Sequence, residues 1–279
     1  MGRSAAAAVT ASGPAGGRPP TEGELRRAGG DDLLDVAVAA ARAAGAVLLD
    51  HYAHGAGDVT TKSSPTDLVS EADLSAERAI RELLEARRPD DAILGEEGDD
   101  VAGSSGLRWV VDPLDGTVNY LFGIPQWSVS VACEGRVGVI LDPVRDELFS
   151  VRVGEAATLD GQPLEGPPLR ELGTAMVSTG FGYDARVRAA QAEVVARLLP
   201  QVRDIRRLGS AALDLAWLAA GRYDAYYEYG LNAWDWAAGE MLCSAVGLET
   251  RHLDPLPATG AGLLVARPEL IDELAAIVS

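Results

Sequence analysis

With 279 residues, 47% of them hydrophobic, the chain can bury a sizeable core in one large domain or two tightly packed ones. Its 24 lysines and arginines face 42 aspartates and glutamates, a formal charge of −18. That charge repels phosphates over a Debye length of about 10 Å, so it disfavours DNA, RNA and anionic membrane surfaces. A substrate that is itself anionic then needs local positive charge, from arginines or from a bound metal.

In chain order, the N-terminal "SAAAAVTASGPAGGRPP" lacks the Leu-rich core of a signal peptide. Its Ala, Gly and Pro suit a disordered tail over residues 1–30, with a folded domain over 31–279. Leu34, Val38, Ala41, Gly45 and Leu48 recur at helical spacing, with Asp31 or Asp32 as the cap. A turn-rich "KSSPTD" precedes a second predicted helix from about Ser70 to Arg87. "DAILGEE" and "LRWVVD" read as short strands, each ending in carboxylates. "WSVSVACEGRVGVILDP" and "ELFSVRVGEAATLDGQPL" predict an antiparallel meander, turning at Glu134-Gly135 and Asp160-Gly161. This gives an N-terminal α+β half over 31–170. Over 171–279 strands and helices alternate: strand "TAMVST", helices at 187–198 and 210–220, strand "DAYYE", a helix at 233–245, strand "LLVA" and a last helix from Pro268. Such alternation predicts helices layered on sheet. Cys133 and Cys243 sit in apolar segments and read as buried thiols of a reducing compartment. No apolar run approaches membrane-spanning length, so a cytoplasmic protein is expected.

The carboxylates carry the chemistry. Asp73 falls in register with Ala76, Ile80 and Leu84, on the apolar stripe of its helix, where a carboxylate needs a partner; a first-turn aspartate favoured by the helix dipole explains it equally well. Glu96 and Glu97 end a strand, which a charged loop would also explain. Asp112 ends "WVVD", at the strand end where open α/β sheets place ligands. Asp235, three residues after Asn232, fits a capping box better than a ligand when taken singly.

The segment "DPLDGT" strengthens these when they are taken together. Asp112 and Asp115 flank Pro-Leu and would repel each other unless they share a cation, and the proline fixes the turn between them. Hard ions such as Mg²⁺ take carboxylate, carbonyl and water oxygens together with substrate phosphate. Gly116-Thr117 follows at once, with backbone amides open to a phosphate oxygen. An ordinary Asp-Gly turn accounts for Asp115-Gly116 but leaves Asp112 unexplained. No G-x-S-x-G or Ser-His-Asp pattern offers a covalent nucleophile. His51, His54 and His252 lack metal spacing and read as surface or turn residues.

"DPLDGTVNY" resembles the D-P-x-D-G-T-x-N-F signature of the inositol monophosphatase family, within the lithium-sensitive, metal-dependent phosphatases. "DLVSEAD", "GEE" and "WDWAAGEMLCSAVG" match three further family segments in the expected order, and the likeness runs from about Lys62 to Gly247. "KSSPTD", "TGFGY" and "RRLGSAALDLAWLAAGRYDAYYE" are most similar to bacterial inositol-1-monophosphatases. Ser70 stands for the usual Thr and Tyr120 for Phe. "CSAVG" replaces "EAGG", a change at Ser244 and Val246 expected to affect packing at a helix end.

The resemblance implies a layered αβαβα sandwich, of the inositol monophosphatase and fructose-1,6-bisphosphatase type, with two or three Mg²⁺ ions. Glu96, Asp112 and the carbonyl of Leu114 would hold one ion; Asp112, Asp115 and Asp235 a second; Glu96 would touch a third through water. Thr117, with Asp73 behind it, would position and help deprotonate the attacking water. The amides of Gly116 and Thr117 would hold phosphate. Asp115, Ala211 and Glu228, with Ser210 nearby, would meet the hydroxyls of a small polyol. The implied activity is hydrolysis of a polyol phosphate, myo-inositol 1-phosphate above all, in a homodimer. Relatives on the same scaffold take histidinol phosphate, fructose 1,6-bisphosphate or 3′-phosphoadenosine 5′-phosphate, and others act as regulatory proteins that bind transcription machinery.

Overall fold

The computed structural model describes residues 32–54, 59–61 and 68–279, so the predicted tail and the KSSPTD turn lie outside the described residues. Helix α1 (Leu33–His54) starts where Asp32 Oδ1 accepts the Leu34 amide at 2.9 Å. Its buried stripe, Val36, Ala37, Ala40, Ala41, Ala44 and Leu48, keeps helical spacing. The small residues let it lie close to its neighbours; a Cβ added at Gly45 would come within 2.7 Å of Leu141. After a short antiparallel pair, β1 (Val59–Thr61) and β2 (Leu68–Ser70), comes α2 (Glu71–Arg87), capped by Ser70.

Strands β3 (Ala92–Gly95) and β4 (Arg108–Asp115) pair in parallel. The five-residue helix α3 (Thr117–Leu121) follows β4 at once. The predicted meander then adds β5 (Ser128–Cys133), β6 (Val137–Asp142), β7 (Glu147–Arg152), β8 (Thr158–Leu159) and β9 (Gln162–Pro163), all antiparallel. These seven strands form one sheet in the order β3-β4-β5-β6-β7-β8-β9. Every residue of β5 and β6 is buried, as expected of strands covered on both faces.

The second sheet holds β10 (Met176–Thr179), β11 (Asp204–Arg206), β12 (Ala225–Tyr229), β13 (Glu249–Leu253) and β14 (Gly262–Ala266) in the order β11-β10-β12-β14-β13. Around it run α4 (Ala185–Leu198), α5 (Ala211–Ala219), α6 (Ala233–Ala245) and α7 (Pro268–Val278).

Helices α1 and α2 cover the outer face of the seven-stranded sheet, and α5 and α6 pack on both sheets. One core therefore joins Ile140 and Phe149 of the first sheet, Leu213 and Leu242 of the middle helices, and Tyr226 and Val265 of the second sheet. A further core lies between that second sheet and α4 and α7, built from Val177, Val194, Leu264, Ile271 and Leu274. The result is the expected αβαβα sandwich. Among its middle helices, α5 is apolar nearly all round, which suits an element covered on every side.

Several details depart from the sequence reading. β4 continues past Asp112 to Asp115, with a register shift between the two where Pro113 has no amide to give the ladder. β11, only three residues long, and β13, which carries Glu249 and Arg251, have no counterpart in the sequence reading; both are sheet edges. Of the histidines read as surface or turn residues, His54 and His252 are exposed and His51 is half-buried, His51 and His54 at the end of α1 and His252 in β13 against Trp236. Val246 ends α6 and Gly247 takes φ +80° beyond it, so the altered "CSAVG" still closes the helix. Cys133 and Cys243 are free and buried. Among the described residues no helix is long and apolar enough to cross a membrane.

Candidate active site

The bulge at the end of β4 brings Asp112 and Asp115 onto the wall of a single cavity of about 520 Å³, within the range usual for small-molecule sites. Glu96 reaches it from the loop after β3, and Asp235 from the first turn of α6. Leu114, Gly116, Thr117, Ala211 and Glu228 line it too. Residues far apart in sequence are thus gathered by β4, α5, β12 and α6.

Gly116 has φ +101°, a conformation that glycine adopts without strain, and a Cβ there would lie 3.0 Å from the Gln126 carbonyl. Next to it, Thr117 Oγ1 donates to Asp73 Oδ1 at 2.9 Å and lies 3.1 Å from the Leu114 carbonyl. Asp73 is 1% exposed and sits behind the cavity wall, its Oδ2 taking the Ser70 amide at 2.9 Å and the Ser70 hydroxyl. The acid that completes the Ser70 capping box of α2 is therefore also the partner of Thr117.

Asp115 Oδ2 accepts from Ser210 Oγ at 2.6 Å and from the Ala212 amide at 2.7 Å. The hydroxyl of Ser210 is buried behind Asp115, 3.1 Å from Ser128, and does not line the cavity as Ala211 does. Asn232 and Asp235 form the expected capping box, the Asn232 amide donating to Asp235 Oδ2 at 2.6 Å. Glu228 accepts the Tyr226 hydroxyl at 2.8 Å. Gly180 faces its carboxylate so closely that any side chain there would collide with it.

Electrostatics single the cluster out. Burial first, then the charges of Glu96, Asp115 and Asp235, hold the Asp112 carboxyl well above its usual range. Asp235 is raised by withdrawal from water and by Asp115 and Glu96, against the opposing Asn232 amide. Burial pushes Asp115 up to about 6, although the Ser210 and Ala212 hydrogen bonds pull the other way. Asp235 and Glu228 open onto the cavity, so water there screens part of the effect. Arg207 is the one basic side chain among the described residues that line the cavity. Asp112, Asp115 and Asp235, all held above their usual range, stand with Glu96 around one cavity, and this set of oxygen donors fits a hard divalent cation. Among the described residues no three His, Cys, Asp or Glu side chains already form a closed coordination group. Asp112, Asp115 and Asp235 each accept a backbone amide on one oxygen, from Leu114, Ala212 and Asn232, which fixes the carboxylates and leaves lone pairs for an ion.

A sequence profile of the inositol monophosphatase family matches residues 30–278.

The chain belongs to the inositol monophosphatase family.

It is 41% identical to an inositol-1-monophosphatase SuhB of Mycobacterium tuberculosis, over 93% of this chain and 95% of that one. It is 40% identical to a Nus factor SuhB of Pasteurella multocida, over 77% and 83%. Among solved structures, the extragenic suppressor protein SuhB of Bartonella henselae superposes with a TM-score of 0.81 at 32% identity, covering 88% of this chain and 98% of that one. Mycobacterium tuberculosis SuhB gives 0.75 at 37%, covering 88% and 95%. Membership in this family makes the protein a phosphatase of the inositol monophosphatase type.

Sequence reasoning missed four residues here. Asn119 Nδ2 donates to the Gln126 and Leu208 carbonyls, both at 2.7 Å, tying α3 and the loop after it to the approach to α5. Tyr226 anchors Glu228, whose carboxyl pKa is raised by burial, and Arg207 opposes that rise. Asp214 is 1% exposed, raised well above its usual range by burial and then by Glu228 and Asp115. Its signal was present as a lone acid within the apolar run "AALDLAWLAA".

Proposed function

We propose that the protein is a Mg²⁺-dependent phosphomonoesterase that hydrolyses a small polyol phosphate, myo-inositol 1-phosphate first among them. The observation that carries this reading is the Thr117–Asp73 hydrogen bond at the edge of a cavity lined by four mutually repelling carboxylates. Two or three Mg²⁺ ions, when bound, supply positive charge against the phosphate dianion and acidify the attacking water. Glu96, Asp112 and the Leu114 carbonyl would hold one, with Asp112, Asp115 and Asp235 holding a second, and Glu96 touching a third through water.

The chain's own groups do the rest. Thr117 has one hydroxyl proton, and the charged Asp73 is the stronger of its two acceptors, at 2.9 Å. With that proton committed, the lone pairs of Oγ1 are left to accept from a water and aim it at phosphorus. The Gly116 and Thr117 amides would cradle the phosphate. Asp115, Ala211 and Glu228 would meet the hydroxyls of the leaving alcohol, with Ser210 fixing Asp115 from behind. Homodimeric assembly and inhibition by Li⁺ belong to the same reading.

The deciding experiment is phosphate release from myo-inositol 1-phosphate, histidinol phosphate, fructose 1,6-bisphosphate and 3′-phosphoadenosine 5′-phosphate, each with Mg²⁺ and then with excess chelator. Turnover of the inositol ester that stops in chelator is expected; full turnover in chelator overturns the metal roles. The names of the Nus factor relatives favour a second reading, a regulatory protein-binding role. Asp112→Asn separates the two, because it removes hydrolysis and leaves a binding surface intact.

A further inference from the structure

The loop Gly95–Gly98, which carries Glu96 into the cavity, rests on an ion pair of helix α2. Glu77 Oε2 accepts the Glu97 amide at 2.7 Å, while its Oε1 holds Arg81 Nε at 2.6 Å. Glu77 is 2% exposed. The fit is close on both sides of Glu96: a Cβ added at Gly95 would lie 2.5 Å from Glu77 Oε1 and 2.6 Å from Arg81 Nη2, and one at Gly98 would lie 2.6 and 2.8 Å from the same atoms. Since the Glu97 amide belongs to the peptide that follows Glu96, holding it fixes the plane from which the Glu96 side chain departs.

A buried ion pair is a poor stabiliser compared with well-packed apolar side chains of the same volume, because of the desolvation of both charges. Its presence here calls for another role, and the spacing on α2 suggests one. Asp73, Glu77 and Arg81 stand four residues apart, on one face of the helix. The first accepts from Thr117, the second holds the Glu97 amide of the Glu96 loop, and the third pairs with the second.

We propose that Glu77 and Arg81 are positioning residues, a clamp that fixes the Glu96 carboxylate beside Asp112 and so sets the affinity of the divalent-cation site. This rests on the metal roles given under Proposed function. The clamp acts before any substrate arrives, so its loss weakens cation binding by the tenfold to hundredfold usual when groups supporting a metal ligand are removed.

The test uses the full chain, stripped with chelator and titrated calorimetrically with Mg²⁺ alone, beside melting curves and Mg²⁺ activation of phosphate release. The double variant Glu77→Leu/Arg81→Met replaces the pair by apolar groups. It is expected to fold, to bind Mg²⁺ about 10–100-fold more weakly and to need correspondingly more Mg²⁺ for half-maximal rate. Gly98→Ala, which drives a Cβ into the pair, is expected to weaken Mg²⁺ binding in the same direction, and Arg81→Lys to restore most of the affinity. A purely structural role would move the melting temperature and leave the Mg²⁺ affinity of the folded protein alone. Mg²⁺ binding within about threefold of wild type in both the double variant and Gly98→Ala would overturn the clamp. Absence of Mg²⁺ binding in the wild type would instead overturn the metal roles, and the clamp with them.

Discussion

Thr117→Val is the sharpest probe of the site, because it swaps a hydroxyl for a methyl of nearly equal size. Asp73 Oδ1 then loses its hydroxyl donor, but Oδ2 keeps the Ser70 amide and hydroxyl. The cost in stability should therefore sit at the low end of the range for an unsatisfied buried group, about 1 kcal/mol. That corresponds to a fall in Tm of about 2–4 °C for a domain of this size. The rate should suffer far more. Loss of a group that positions and helps deprotonate the nucleophile costs typically about 10²–10⁴-fold, or roughly 3–5 kcal/mol of barrier. The assay is phosphate release at saturating Mg²⁺ beside a melting curve, with Thr117→Ser as the rescue. A folded valine variant within about tenfold of wild type would refute the role given to Thr117.

Asp112→Asn should abolish detectable phosphate release and weaken Mg²⁺ binding, while added Mg²⁺ raises the Tm of wild type more than that of the variant; equal shifts would exclude Asp112 as a ligand. Glu228 is pushed up to about 7, chiefly by burial, against a Tyr226 hydrogen bond and the Arg207 charge that oppose the rise. Its folded pKa exceeds its unfolded one, so the stability it contributes is full below the unfolded value of 4.5 and is lost as pH rises towards 7. Glu228→Gln should gain Tm relative to wild type across that window, with an unchanged difference counting against the shift. Asn119→Ala strands the buried Gln126 carbonyl and the part-buried Leu208 carbonyl and should cost about 1–3 kcal/mol by denaturant melts; an unchanged midpoint would count against this tie.

Much of this architecture could be read from the chain. The bounds 233–245 for α6 match because Asn232 and Asp235 announce its start and Gly247 its stop. Asp73 stood out as an acid on an apolar stripe, and the structure gives it the partners such a position demands. Its contact with Thr117 spans 44 residues, and no local periodicity encodes that pairing. The same holds for Asp115 and Ser210, which meet across 95 residues because α5 packs against β4 and β5. The edge strands β11 and β13 carry Asp204, Arg206, Glu249 and Arg251, charges that blunt a sheet edge and hide its alternation. Arg207 follows another arginine with nothing local to distinguish it, and only the folded cavity sets it apart.

Asp73 and Asp235 begin helices with the same carboxylates that face the chemistry or stand directly behind it. On the roles proposed for these two residues, fraying of either first turn would displace an oxygen the reaction needs, which would tie local order there to turnover. Laboratory selection for heat tolerance should find both positions closed, since any swap that strengthened the helix start would silence the protein it was meant to preserve.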